Sequence, residues 1–213
     1  MQTELPTAEY EYQARYDYVN CHHPAEKRSL MVALLKVNME HTKLIHQWMN
    51  QPHVARYWQQ AWPIDRIQHY LEQQIASYHE VFLLVVNDKP VAYTELYPVS
   101  EDRLAQYCTH HPNDWGWHML IGPPDFIGCG LSPALGQTIL RYLFEQKHAP
   151  QVFCEPDSRN LRMINFVSRL QHKSQGLVQL GNKLARIMMC EQGDFMSFAP
   201  PSLSYKTTTG VLA

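Results

Sequence analysis

The stretch Trp115–Ser132, WGWHMLIGPPDFIGCGLS, decides how this chain reads. Its first seven residues, Trp115–Ile121, are apolar and aromatic apart from His118, as a buried strand would be. Gly122–Leu131 is rich in glycine and proline and cannot continue that strand. Ser132 is of the type that caps a helix, and Pro133 suits the first helical position. ALGQTILRYLFEQK then carries a helix to about His148, and Pro150 is a stop signal. A strand feeding a glycine-rich turn and a capped helix makes an anion site. The N–H groups of the turn and first helical turn converge, and the helix dipole favours negative charge. Gly128 and Gly130 let the backbone approach an anion with no Cβ in the way.

Working outward, Met31–Val37 is a short apolar strand. Met39–Asn50 carries Leu44, Ile45, Trp48 and Met49 at helical spacing, and Pro52 ends that helix. Residues 51–63 (QPHVARYWQQAWP) are aromatic and irregular. Ile64–Tyr78 is an amphipathic helix with apolar residues at 64, 67, 71, 75 and 78. Val81–Val86 and Val91–Tyr97 form a hairpin about Asn87-Asp88-Lys89-Pro90. Downstream come a strand at Gln151–Glu155, a helix at Ser158–Leu170, and two strands in Leu177–Met189 around Gly181-Asn182-Lys183. The order β-α-α-β-β-β-α-β-α-β-β predicts an α/β fold, one mixed, mainly antiparallel central sheet flanked by helices. Residues 1–30 read as an N-terminal extension with a strand near its end, 31–198 as the domain, and 199–213 as a C-terminal tail.

A chain of 213 residues is sized for one domain with an extension. A net charge of -2 gives no long-range attraction for nucleic acid or an anionic membrane. No apolar run approaches the roughly 18 residues of a membrane span, and the polar, acidic N-terminus is no signal peptide. The five cysteines (Cys21, Cys108, Cys129, Cys154 and Cys190) are odd in number and form no CxxC pair, which argues against a disulfide framework and a zinc ribbon. A reducing cytoplasm is the expected home. His110-His111 with Asp114 reads as a solvated loop rather than a metal site, and no metal is expected.

The order strand, Gly128-Cys129-Gly130, helix, then a strand ending in Glu155-Pro156-Asp157 and a helix beginning Ser158-Arg159-Asn160 resembles the GNAT acyltransferases. GWHMLIGPPDFIGCGLSPAL followed by VFCEPDSRNLRMINFVSRL resembles one branch of them, which acylates N-hydroxylated amines in siderophore biosynthesis. That branch includes the acetyltransferases of the aerobactin and alcaligin pathways and the mycobactin lysine acyltransferase. Glu95 and Tyr97 in the TELY strand, Glu101-Asp102-Arg103, and Tyr57-Trp58-Gln59-Gln60-Ala61-Trp62 match it too, so the resemblance spans roughly residues 30–198.

The resemblance implies an acyl-CoA co-substrate, acetyl-CoA by default and succinyl-CoA as the alternative. Leu120, Ile121, Ile127, Gly128, Cys129, Gly130, Leu131, Ser132, Asn160 and Met163 would contact it. It implies His118 as general base, with Asp157 facing and orienting it; Asp157 also suits a helix cap. Trp58, Trp62, Glu95, Tyr97 and Trp117 would line the acceptor pocket, although an aromatic stripe also suits a core. The acceptor would be an N-hydroxylated diamine or N-hydroxylysine. A flavin amine N-monooxygenase and a siderophore synthetase would be functional partners, and the chain a monomer or homodimer. Other readings are a GNAT enzyme for a polyamine or aminoglycoside, and a non-catalytic CoA-binding module. Two departures stand out. Asp125 occupies the place of a phosphate-binding Arg or Gln, and Asn165-Phe166-Val167 replaces the Tyr acid that often protonates the departing thiolate. A β-bulge in Trp115–Ile121 is expected to splay that strand from the one at Gln151–Glu155.

Overall fold

The structure is a computed structural model that describes residues 9–19 and 27–199; the tail beyond Ala199 and the segment holding Cys21 lie outside the described residues. Eight strands form one sheet: β1 (Tyr12–Val19), β2 (Lys27–Lys36), β3 (Glu80–Val86), β4 (Lys89–Pro98), β5 (Trp115–Ile121), β6 (Gln151–Cys154), β7 (Lys173–Leu180) and β8 (Lys183–Glu191). Their order is β1-β2-β3-β4-β5-β6-β8-β7, and all neighbours are antiparallel except β5 and β6. The helices are α1 (Thr42–Met49), α2 (Pro52–Trp58), α3 (Ile64–Ala76), α4 (Ser132–Arg141), α5 (Leu161–Arg169) and α6 (Gln192–Phe198). The mixed, mainly antiparallel α/β architecture is the one the element order predicts.

Helices cover both faces of the sheet, so the central strands are apolar without alternation. In β3, Phe82, Leu84 and Val86 join the core shared with α4, while Leu83 and Val85 pack with Ile45, Ile67 and Leu71 of α1 and α3. The β3–β4 turn uses Asn87 and Asp88 at φ 45° and 65°, the positive-φ pair of a tight hairpin.

Three elements differ from the reading above. Residues 12–19, within the stretch taken as an extension, form the edge strand β1; Tyr12 and Ala14 are buried, and the Tyr12 hydroxyl donates to Glu145 at 3.0 Å. Pro52 starts a helix as well as following one. It lies in the first turn of α2, where no N–H is needed. Ser132 is the first residue of α4, and the cap position belongs to Leu131, whose side chain makes no capping bond.

The β-bulge is also absent. β4 and β5 run in unbroken register from Ala92↔Ile121 to Pro98↔Trp115. The splay has another cause. β6 pairs with β5 only at Trp115↔Val152 and Gly116↔Phe153, and then stays with β8. Arg186 N donates to Pro156 O at 2.9 Å, Ser158 N to Leu184 O at 2.8 Å, and Asp157 bridges Ala185. Pro156 has no N–H to offer β5.

Gly116 lets this end of the sheet close. It lies opposite Tyr97, and a Cβ there would sit 2.2 Å from the Tyr97 ring. Gly116→Ala should therefore lower stability by about 1–3 kcal/mol through overpacking. Thermal unfolding followed by circular dichroism would show a midpoint several degrees lower. An unchanged midpoint would mean that Tyr97 repacks freely.

Candidate active site

The two-residue parallel ladder fixes which side chains meet beyond it. Side chains alternate along a strand, so residues that keep the same offset stay level across a parallel pair. Trp115 pairs with Val152, and the same offset of 37 residues brings His118 to Glu155. His118 Nε2 lies 2.6 Å from Glu155 Oε1. The Tyr97 hydroxyl donates to Glu155 Oε2 at 2.8 Å, and Lys183 Nζ donates to Glu155 O at 2.8 Å and to Oε1 at 3.3 Å. On the β4 side Glu95 stands opposite His118, with Oε2 3.4 Å from Nδ1. Glu95 Oε1 accepts from Tyr93 at 2.9 Å and from Tyr70 of α3 in a short hydrogen bond. Trp58 of α2 sets its edge against His118 at 6.1 Å between ring centroids.

The His118 side chain is 30% exposed, whereas those of Glu95 and Glu155 are 5% and 3% exposed. Burial alone would strip the charge from His118. The two carboxylates, Glu155 first, outweigh it and hold the imidazole pKa at about 9. Burial likewise opposes the charge on Glu155, but His118, Lys183 and Tyr97 keep its pKa well below the usual carboxylate range. Glu95 is also lowered against burial, by His118, Tyr70 and Tyr93. The imidazole thus faces a carboxylate from each side.

A cleft of about 860 Å³ opens where β5 and β6 part. Beyond Gly116, β5 has no strand partner on that side among the described residues, so its edge faces the cleft; His53 Nε2 lies 2.9 Å from Ile121 O there. Leu120, Ile121, Ile127, Ser132, Asn160 and Met163 line the cleft. Gly128 and Gly130 adopt φ of 75° and 88°, and a Cβ on Gly128 would meet nothing within 4 Å. No side chain caps the start of α4, and a helix N-terminus beside a glycine turn suits a phosphate. Asp125 lies in the preceding 3-10 turn, Pro124–Phe126, and adds no cation. Leu131 turns its side chain into the core, and the Cys129 thiol donates to Phe126 O at 3.0 Å. Asn160 caps α5, accepting from Met163 N at 3.2 Å.

The structure sorts the remaining candidates. Asp157 is not paired with His118. Arg159 takes its carboxylate through Nε at 2.9 Å and Nη2 at 2.7 Å, and Arg159 N also donates to it at 2.9 Å. That arrangement holds Asp157 well below the usual carboxylate range. Asp157 does line the cleft. Trp58 and Glu95 are at the site. Tyr97 is buried behind it, bonded to Glu155. Trp117 is fully buried and donates from Nε1 to His172 at 3.3 Å. Trp62 packs on Tyr70 and under Arg66, behind the cleft wall that Tyr70 forms. Glu155, Lys183, Tyr70 and Tyr93 are absent from the sequence-based set. Only Glu155 carried a signal, as the strand-end carboxylate beside Asp157. Asp114 is structural, accepting from His111 N at 2.7 Å and Gln151 N at 3.0 Å. Among the described residues no cluster of three His, Cys, Asp or Glu is placed to hold a metal, and no helix is long and apolar enough to cross a membrane.

A sheet that parts beside a glycine turn and a helix N-terminus has the layout of an acyltransferase fed by a coenzyme A thioester, and the family match bears this out. Residues 38–180 match the acetyltransferase (GNAT) domain family, and the chain belongs to it. Enzymes of that family use acetyl-CoA. Over 153 residues the chain is 30% identical to an N-hydroxyputrescine acetyltransferase of Acinetobacter baumannii, covering 71% of this chain and 73% of that protein. It is 28% identical over 183 residues to the N(5)-hydroxyornithine:cis-anhydromevalonyl coenzyme A-N(5)-transacylase of Beauveria bassiana, covering 85% of this chain but 40% of that protein. The crystal structure of an uncharacterized protein from Bacillus halodurans superposes with a TM-score of 0.78 at 27% identity, over 87% of this chain and 94% of that one.

The charge on His118 should be visible in stability. Its pKa is raised from 6.5 to about 9 on folding. The stabilisation is therefore complete below pH 6.5 and is lost as pH rises through about 9. Between about pH 7 and pH 10 the melting temperature of the wild type should fall more steeply than that of His118→Gln. Parallel declines would show that His118 keeps an ordinary pKa.

Proposed function

We infer that this protein transfers an acyl group, acetyl by default and succinyl as the alternative, from coenzyme A to the nitrogen of an N-hydroxylated diamine or N-hydroxylysine. The product is a hydroxamate, a hard bidentate iron ligand suited to a siderophore. One observation carries the choice of acceptor. Of the four carboxylates that line the cleft among the described residues, three already face a basic group of the chain, Glu95 and Glu155 meeting His118, Glu155 also Lys183, and Asp157 Arg159, while Asp102 accepts from Leu104 N. Such a cleft suits an acceptor whose reacting nitrogen is uncharged better than a polycation such as an aminoglycoside. The N-hydroxy-amine substrates named for the relatives above support the same reading.

The thioester supplies an activated carbonyl carbon, and the chain's task is to position the nitrogen against it. Leu120 and Ile121 would flank the pantetheine arm, the Gly128–Ser132 backbone would hold phosphate, and Trp58 with Tyr70 would wall the acceptor end. N–H groups at the 119–121 end of β5 would receive the developing oxyanion. His118 would act at the reacting centre, with Glu155, and not Asp157, as the carboxylate that orients the imidazole. The substrate needs a flavin amine N-monooxygenase to hydroxylate the amine, and the product serves a siderophore synthetase, all in the cytoplasm. The named cleft residues come from one chain, which a monomer or homodimer satisfies equally.

His118→Ala should lower turnover by about 10²-fold or more, the usual size for a proton-transfer group. Thiol release from acetyl-CoA measures this, and a rate within a few-fold of wild type would remove His118 from the chemistry. N-Hydroxyputrescine or N-hydroxycadaverine should be acylated far faster than the parent diamine in the same assay. Equal rates would reject the acceptor assignment and leave the acyltransferase intact. No thiol release with any amine would favour a CoA-binding module.

A further inference from the structure

His118 is gripped through both ring nitrogens. Glu155 Oε1 lies 2.6 Å from Nε2 and Glu95 Oε2 lies 3.4 Å from Nδ1. A carboxylate only accepts, so a ring nitrogen that bonds to one carries a proton, and an imidazole with two N–H groups is a cation. The surrounding groups reinforce this. From β4, Tyr97 donates to Glu155 and Tyr93 to Glu95; from α3, Tyr70 donates to Glu95; from β8, Lys183 pairs with Glu155. His79, ahead of β3, lies 5.7 Å from the Tyr97 ring, and burial keeps its own pKa low. Of these only the Tyr97 hydroxyl touches the imidazole, 3.5 Å from Nε2, and its own proton is already given to Glu155.

We propose that His118 begins the reaction as an imidazolium acid, locked by Glu155 and Glu95 as positioning residues, so that the acceptor nitrogen must arrive uncharged. The proposal rests on the acyl-transfer reading above. The nitrogen lone pair forms the C–N bond as the carbonyl π pair moves to oxygen. That pair returns, the C–S bond breaks with its electrons on sulfur, and His118 gives sulfur a proton. The neutral imidazole then takes the proton from the acylated nitrogen and is a cation again. One proton has passed from nitrogen to sulfur, and nothing is oxidised or reduced. The longer contact, at Nδ1, is the one that yields more easily.

Two facts of the chain then fit together. The acid missing from the Asn165-Phe166-Val167 segment is supplied from β5 instead. An alkylammonium, with a pKa of about 10, would need a base before attack, and the site offers none free. A hydroxylamine nitrogen is far less basic and is neutral at physiological pH.

The charge can be read without any substrate. Nitrogen-15 NMR of the full chain, with His118→Gln to assign the signals, should show both His118 ring nitrogens protonated at about pH 7.5. A neutral single tautomer at that pH overturns the proposal whatever the acceptor proves to be. With acetyl-CoA and an N-hydroxy-diamine, kcat/KM should stay level to about pH 8 and decline above the His118 pKa of about 9. A rise toward pH 9 is the mark of a free base and overturns it as well. Glu155→Gln, with retained acetyl-CoA binding by calorimetry as the check on folding, should move the decline at least about one pH unit lower. An unmoved decline would remove Glu155 from its part. Failure of every acceptor counts against the acyl-transfer reading, and the NMR titration still decides the charge on His118.

Discussion

Everything at the site depends on β6 parting from β5 while it stays with β8. For two residues it is a parallel neighbour of β5, and from Cys154 onward the chain belongs to β8 alone. A parallel pair that stops so early forfeits ladder hydrogen bonds along the rest of β5. The protein recovers part of that loss with the His118, Glu155, Tyr97 and Lys183 network, which holds the parted strands at a set distance. The same loss opens the cleft. An edge that would invite aggregation on an outer strand here lines a cleft walled in part by helices.

The second constraint is charge. Two carboxylates within one small volume could not both stay ionised without cations and hydroxyl donors. Glu155 has His118, Lys183 and Tyr97; Glu95 has His118, Tyr70 and Tyr93. His118 is the member common to both sets. Removing one partner from such a set leaves an uncompensated buried charge, which costs more than the lost bond itself. The cluster is therefore rigid by necessity, and its rigidity fixes the direction in which the imidazole points.

Much of this could be read in the sequence, and what could not had definite causes. The β3–β4 hairpin was plain because Asn87-Asp88 can adopt the turn's positive φ. The Gly128–Gly130 turn was plain because a strand precedes it and a helix follows. β1 was missed because its polar alternation looks like an extension until Tyr12 and Ala14 find a core. α2 was missed because Pro52, seen after one helix, was read as a stop and not as the start of the next. In α3 the apolar set was right but too broad: Ile67 and Leu71 are buried, whereas Ile64, Ile75 and Tyr78 are exposed. At the site, His118, Trp58 and Glu95 were legible as residue types in the right strand or segment. The choice between Glu155 and Asp157 was not, since both are acids at one strand end. Only the register between β5 and β6 separates them.

That register also sets what insertions the chain can absorb during evolution. After α4 the chain continues through a π-helical turn, Tyr142–Gln146, with Tyr142, Leu143 and Phe144 buried; only near the exposed His148 would extra residues lengthen a loop and leave the ladder where it is. Within Val152–Glu155 there is no such slack. One added residue would turn every following side chain to the opposite face of the sheet. Glu155 would leave His118, and the residue in its place would be Cys154 or the newcomer. Related chains that keep this arrangement should thus vary in length before Gln151 and keep an invariant count from there to Glu155.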